Sequence, residues 1–285
     1  MECERADRHA DSARPLNLAF FLTASYFLVE LIGGFWTGSL ALLADALHMG
    51  VDLVALGVSL WAARVSLRPP DKKRTFGYQR VEVLAALGNS VWLLVATGII
   101  LHAAYGRFFS PSEIKAKEML GIAVVGLLCN LVAGFALFKG SHENLNVRGA
   151  FIHVMADALG SVGAIVAGLV IVFTGWSKAD PLASAFICAG IIATSLWLLR
   201  DSVHILLEGA PAHLDLEEIR SALSSLGGVK EVHDLHLWSL TKGSESLSGH
   251  LVVETGCDIA AVLKSGKDLL AARFSISHVT LQIES

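Results

Sequence analysis

Hydrophobic and polar residues fall along this chain in long blocks rather than singly. Apolar runs occupy residues 16–36, 40–61, 81–102, 119–138, 149–173 and 182–199. A bilayer core needs about 20 apolar residues in helical form, and each run is close to that length. Backbone groups in lipid must pair within their own segment, so the runs are read as six helices. A barrel would need shorter strands alternating with period two, which these runs lack. No short apolar leader with a small-residue cleavage site precedes the first run, so it is expected to stay as a span.

From Pro211 the pattern changes. Residues 214–226 repeat their apolar positions with helical period, and Asp215, Glu217 and Glu218 stand near the start, where the helix dipole favours acids. Residues 229–240 and 247–254 read as strands joined by a turn through Lys242, Gly243 and Ser244. Residues 259–273 return to helical spacing, and 278–283 alternate as a last strand. The fold class expected is a membrane all-α six-helix bundle followed by a small α/β domain in the order αββαβ. The domains expected are a tail at 1–15, the spans at 16–208 and a cytoplasmic domain at 209–285. A domain of roughly 75 residues is marginal alone, and pairing with a second copy would steady it.

Composition agrees with this division. Hydrophobic residues make up 54% and charged residues 17%, against roughly a quarter charged in an ordinary globular protein. Disorder and a fibrous protein are excluded, as is a nucleic-acid binder, because 22 Lys and Arg are outnumbered by 26 Asp and Glu. The net charge of −4 sits wholly in the tail, with 6 basic and 10 acidic residues from Pro211 onward and 16 of each before it. Basic residues gather at Arg5, Arg8 and Arg14, at Arg68, Lys72, Lys73, Arg74 and Arg80, and at Lys139 and Arg148. The opposite loops carry only Arg107, Lys115, Lys117 and Lys178, so the positive-inside rule puts both termini in the cytoplasm. Cys3, Cys129, Cys188 and Cys257 form no CxxC pair, which argues against a disulfide framework or a cysteine zinc finger.

Ionisable residues inside spans are costly and mark function. The second span holds Asp45, His48 and Asp52, and the fifth holds His153 and Asp157. Each His lies four residues before an Asp, so each pair projects from one helix face. Two such helices side by side bring together two imidazoles and two carboxylates, a set that suits a tetrahedral divalent transition metal, zinc most naturally. Asp45, three residues before His48, fits either an outer ligand or proton acceptor, or a helix–helix hydrogen bond. Glu30, Asn89 and Asn130 are read as interhelical packing, since polar groups hold membrane helices together.

The segments SLALLADALHMGVDL, FGYQRVEVLAALGN, NLNVRGAFIHVMADALGSVGAIVAG and VHDLHLW resemble the cation diffusion facilitator family, and within it the zinc-transporting branch of bacterial type. The likeness covers the chain beyond its first fifteen residues. It implies a tetrahedral zinc site of His48, Asp52, His153 and Asp157. It also implies a homodimer that exchanges cytoplasmic zinc for protons, with a ferredoxin-like domain that binds zinc and aids dimerisation. By local alignment Arg80 and Glu208 match a charge pair that locks the dimer in some relatives; a merely solvated pair fits the residues as well. His233, His250 and Glu284 match a cytoplasmic zinc site, with Gln282 where some members have another histidine. Ordinary placement of these histidines is the alternative. Strand alternation puts His236 on the face opposite His233. The loop RPPDKKRTFGYQR has no His and one acid, Asp71, so a metal site found there in some relatives is expected to be missing. His142 stands alone where many eukaryotic members carry a histidine-rich insertion.

The expected activity is zinc export from the cytoplasm in exchange for protons, from a bacterial plasma membrane, with cadmium and cobalt as secondary cargo. An intramembrane metalloenzyme would want HExxH and an open metal position for water, and HExxH is absent. A zinc sensor would want an output module, and none is attached.

Overall fold

The structure is a computed structural model. It describes residues 2–110, 112–138 and 145–284, with backbone alone for 2–17, 145, 146 and 149. The side chains of Cys3, Arg5, Arg8, Arg14, Lys139 and His142 therefore lie outside the described residues. Helices α1 (Glu2–Thr37), α2 (Leu40–Ser66), α3 (Arg80–Phe109), α4 (Ala116–Phe138), α5 (Leu145–Thr174) and α6 (Ala179–Leu206) contain the apolar runs. Among the described residues these six are long and apolar enough to cross a membrane. Several extend past the expected spans, most plainly α1 at its start and α3, which continues through His102 and Arg107. The apolar run marks the lipid core, whereas a helix continues as long as its backbone can keep pairing.

Small residues bring these helices together. Ala41 and Leu42 of α2, Met119 and Ala123 of α4 and Ala164 and Ala167 of α5 form one buried cluster, as expected where backbones approach closely in a bilayer. Large apolar side chains point outward instead, among them Phe35, Phe135, Phe173 and Phe186. The start of α2 is capped from a distance. Asp180 of α6 accepts hydrogen bonds from Ser39 Oγ at 2.5 Å and from the backbone N–H groups of Leu40 and Ala41 at 2.8 and 3.2 Å. A helix start has backbone donors without intrahelical partners, and this carboxylate supplies them.

The chain divides into two compact units, residues 1–57 with 89–196 and residues 58–88 with 197–285. In the second unit, α7 (Leu216–Ser224), β1 (Val229–Thr241), β2 (Ser244–Val253), α8 (Ile259–Phe274) and β3 (His278–Glu284) appear in the expected order. Asp215 and Asp258 cap α7 and α8. The sheet order is β1-β2-β3, with β1 antiparallel and β3 parallel to β2. Its core joins Ile219 and Leu223 of α7, Val232 and Leu235 of β1, Leu247 and Leu251 of β2 and Leu270 of α8. Glu284 lies inside β3 rather than after it.

One strand face differs from the expectation. His233 pairs with His250 and His236 with Ser248, so β1 advances three residues while β2 advances two. This is a bulge, and Asp234 within it takes a left-handed backbone with φ 48°. Val232 and Leu235, also three apart, both enter the core. His236 therefore lies on the same face as His233, not the opposite one.

Candidate metal site

The quartet comes from two helices. His48 and Asp52 lie on α2, and His153 and Asp157 on α5, each pair one helical turn apart. His48 Nε2 stands 3.4 Å from Asp52 Oδ2 and 3.8 Å from Asp157 Oδ1. His153 Nε2 stands 3.4 Å from Asp52 Oδ2 and 3.7 Å from Asp157 Oδ2. The rings are 5.9 Å apart between centroids. Each imidazole thus faces both carboxylates. Metal–ligand bonds of about 2.0–2.1 Å put tetrahedral donors roughly 3.3 Å apart, so these separations are near those a zinc-sized ion requires. The carboxylates are also short of hydrogen bonds: Asp52 Oδ2 and both oxygens of Asp157 are buried without a donor among the described residues. A buried anionic oxygen without a donor calls for a proton or a cation.

Exposure across the quartet is graded. The Asp157 side chain is 1% exposed, His48 19%, Asp52 28% and His153 45%. Asp52 and His153 line a cavity of about 500 Å³ with Phe20, Thr23, Leu56 and Ala150. The site is open on one side and closed on the other.

In the second unit, His233 Nε2 stands 3.0 Å from Glu284 Oε2, and His250 Nδ1 stands 2.8 Å from Glu284 Oε1. The hydrogen bond with His233, then that with His250, holds the Glu284 carboxyl below its ordinary value. Gln282 Nε2 donates to Glu284 Oε1 at 3.0 Å, so the residue standing where some relatives have a histidine steadies the carboxylate. Sequence reasoning missed Asp234. The bulge turns it toward His236, at 3.0 Å, and toward His250 Nε2, at 3.7 Å. Strand alternation carries no sign of a bulge, so only the position of Asp234 beside His233 marked it. Arg80 and Glu208 meet within the one chain at 3.1 Å.

The transmembrane domain of the cation efflux proteins matches residues 16–207, and their cytoplasmic domain matches residues 211–285. The chain belongs to the cation efflux, or cation diffusion facilitator, family. Among its relatives, the cation efflux system protein CzcD of Alcaligenes sp. (strain CT14) is 42% identical over 98% of this chain and 88% of its own length. The zinc transporter ZitB of Escherichia coli (strain K12) is 42% identical over 96% and 88%. The cadmium, cobalt and zinc/H(+)-K(+) antiporter of Bacillus subtilis (strain 168) is 39% identical over 95% and 88%. This family member is accordingly an integral membrane cation efflux transporter of divalent metals.

Proposed function

We propose that this transporter exports zinc from the cytoplasm in exchange for protons, through His48, Asp52, His153 and Asp157. The observation that carries the reading is the quartet itself: two imidazole nitrogens, each 3.4–3.8 Å from both carboxylates. Zinc takes such mixed nitrogen and oxygen sets in tetrahedral form. With both termini in the cytoplasm, α2 runs inward and α5 outward, so Asp52 and His153 lie on the cytoplasmic side of the quartet. They are its most exposed members, so the structure is read as inward-facing. Zinc reaches Asp52 and His153 first and displaces protons from the imidazoles, because metal and proton compete for the same lone pairs. A rocking of the helices then opens the other side. Protons from outside reclaim the imidazole nitrogens, and the ion leaves.

The relatives' names support the reading: ZitB is named a zinc transporter, and the Bacillus protein a cadmium, cobalt and zinc/H(+)-K(+) antiporter; cadmium and cobalt are proposed as secondary cargo. Residues 209–285 are proposed as a metal-binding and dimerisation domain of a homodimer. Two imidazoles and a carboxylate whose donor atoms lie within 4.8 Å of one another fit a zinc ion by donor type. The membrane is proposed to be a bacterial plasma membrane.

The test is zinc movement in proteoliposomes under an imposed pH gradient, wild type beside Asp157→Ala. Gradient-driven flux that is lost in the variant supports the proposal. Zinc binding without flux in either protein overturns it.

A further inference from the structure

A second cluster of acids lies behind the quartet, on the side closed to the cavity at His153. Glu30 of α1 is 0% exposed and Asp45 of α2 is 2% exposed. Their carboxyls lie close enough to interact directly. Tyr26 Oη donates to Glu30 Oε1 at 3.2 Å and also lies 3.2 Å from the carbonyl of Ile122. The remaining oxygens, Glu30 Oε2 and Asp45 Oδ2, are buried without a donor among the described residues. Among the described residues the ionisable groups acting on the pair are Tyr26 of α1 and Asp157 of α5, with Cys129 of α4 beside Tyr26, and none of these is a cation.

The neighbouring helices make room for this cluster. A Cβ at Gly126 of α4 would collide with the Tyr26 hydroxyl, and one at Gly160 of α5 would lie 2.8 Å from Asp45 Oδ1. Asp45 stands one turn before His48 on α2, and Gly160 one turn after Asp157 on α5. Both therefore sit on the same side of the quartet, away from Asp52 and His153. Two carboxyls this close inside a membrane, with no cation among the described groups acting on them, cannot both be ionised. With a proton on one of them, that O–H donates to the other carboxylate, as in carboxylate dyads that hold one proton between two acids.

We propose that Glu30 and Asp45 form a proton-binding site of the transporter, one proton held between the two carboxyls and released and reloaded as the helices alternate. Its carrying role rests on the proton-exchange reading, whereas its occupancy does not. Infrared spectra of the full chain in lipid vesicles, in light and heavy water at neutral pH, test occupancy. A carboxylic-acid carbonyl band is expected in the wild type and reduced in the double variant E30Q/D45N. Spectra that superimpose in that region overturn the proposal.

Flux tests the role. In E30Q, zinc uptake driven by a pH gradient is expected to fall about tenfold or more, the scale on which a positioned proton-transfer group matters. Zinc–zinc exchange without a gradient should stay close to wild type. Loss of both together, with zinc still bound, means that Glu30 only holds the helices in place, and overturns the proposal. A wild type without gradient-driven uptake overturns proton exchange and the carrying role together, and the infrared band then decides occupancy alone.

Discussion

Asp157 carries the heaviest demand in the quartet, because both its oxygens are buried without a donor among the described residues. Replacing it by Asn keeps the shape and removes the charge. Loss of a charged ligand should exceed the ten- to hundredfold cost of losing a supporting group, so zinc affinity at this site is expected to fall by at least about a hundredfold, or about 3 kcal/mol. Calorimetric zinc titration of the purified protein checks this. His48→Asp trades a nitrogen for an oxygen and should raise the ratio of cadmium to zinc transported, measured with both ions present. Asp71 offers a separate test outside the membrane. Tyr78 Oη and the amides of Lys73 and Arg74 each donate to it at 2.7 Å, which holds its carboxyl below the ordinary aspartate value. A depressed carboxyl stabilises the loop at pH above the unfolded value, and that contribution disappears as pH falls through the folded one. The amides of Lys73 and Arg74 should therefore stay protected from exchange until the pH is below about 4, the ordinary aspartate value. Titration at or above that pH would contradict the assignment.

At the scale of the element, Asp180 shows what one side chain does for a helix end. Asp180→Ala leaves three donors at the start of α2 without an acceptor. Losing a charged hydrogen-bonding group costs about 1.5–3 kcal/mol, so thermal melting of the full chain should drop clearly, and less for Asp180→Asn, which keeps one acceptor oxygen. Nothing local announces this cap, since its residues lie about 140 positions apart. The spans themselves were legible because hydropathy in lipid overrides local preference. The HxxxD pairs were legible because a four-residue spacing on a helix is a fixed geometry. The strands of the tail were legible too, but their faces were not. Period-two counting assumes an unbroken register, and the bulge at Asp234 reverses it for His236. Likewise Glu30 read as packing, because Asp45 is brought to it from α2 only by the assembled bundle, although Tyr26 stands one turn before it on α1.

For the whole molecule, the graded exposure of the quartet gives an order to its work. His153→Ala removes the member most exposed to the cavity and should slow zinc capture through that cavity more than release. Stopped-flow zinc uptake at several concentrations separates these, and an unchanged association rate would contradict the order. The Arg80–Glu208 pair, 35% and 64% exposed, should add at most about 1 kcal/mol to the stability of one chain. A larger effect of Glu208→Gln on dimer dissociation than on melting would place its weight between subunits.

The bond of Asp180 to the first turn of α2 also has a mechanical consequence. Half of the quartet rides on α2, and α2 is pinned at one end to α6. If α2 slides or turns during the cycle, α6 must travel with it or three hydrogen bonds must break on every stroke. The two helices therefore behave as one strut, and the slack needed for alternation has to be found where α5 meets α2, at the quartet itself.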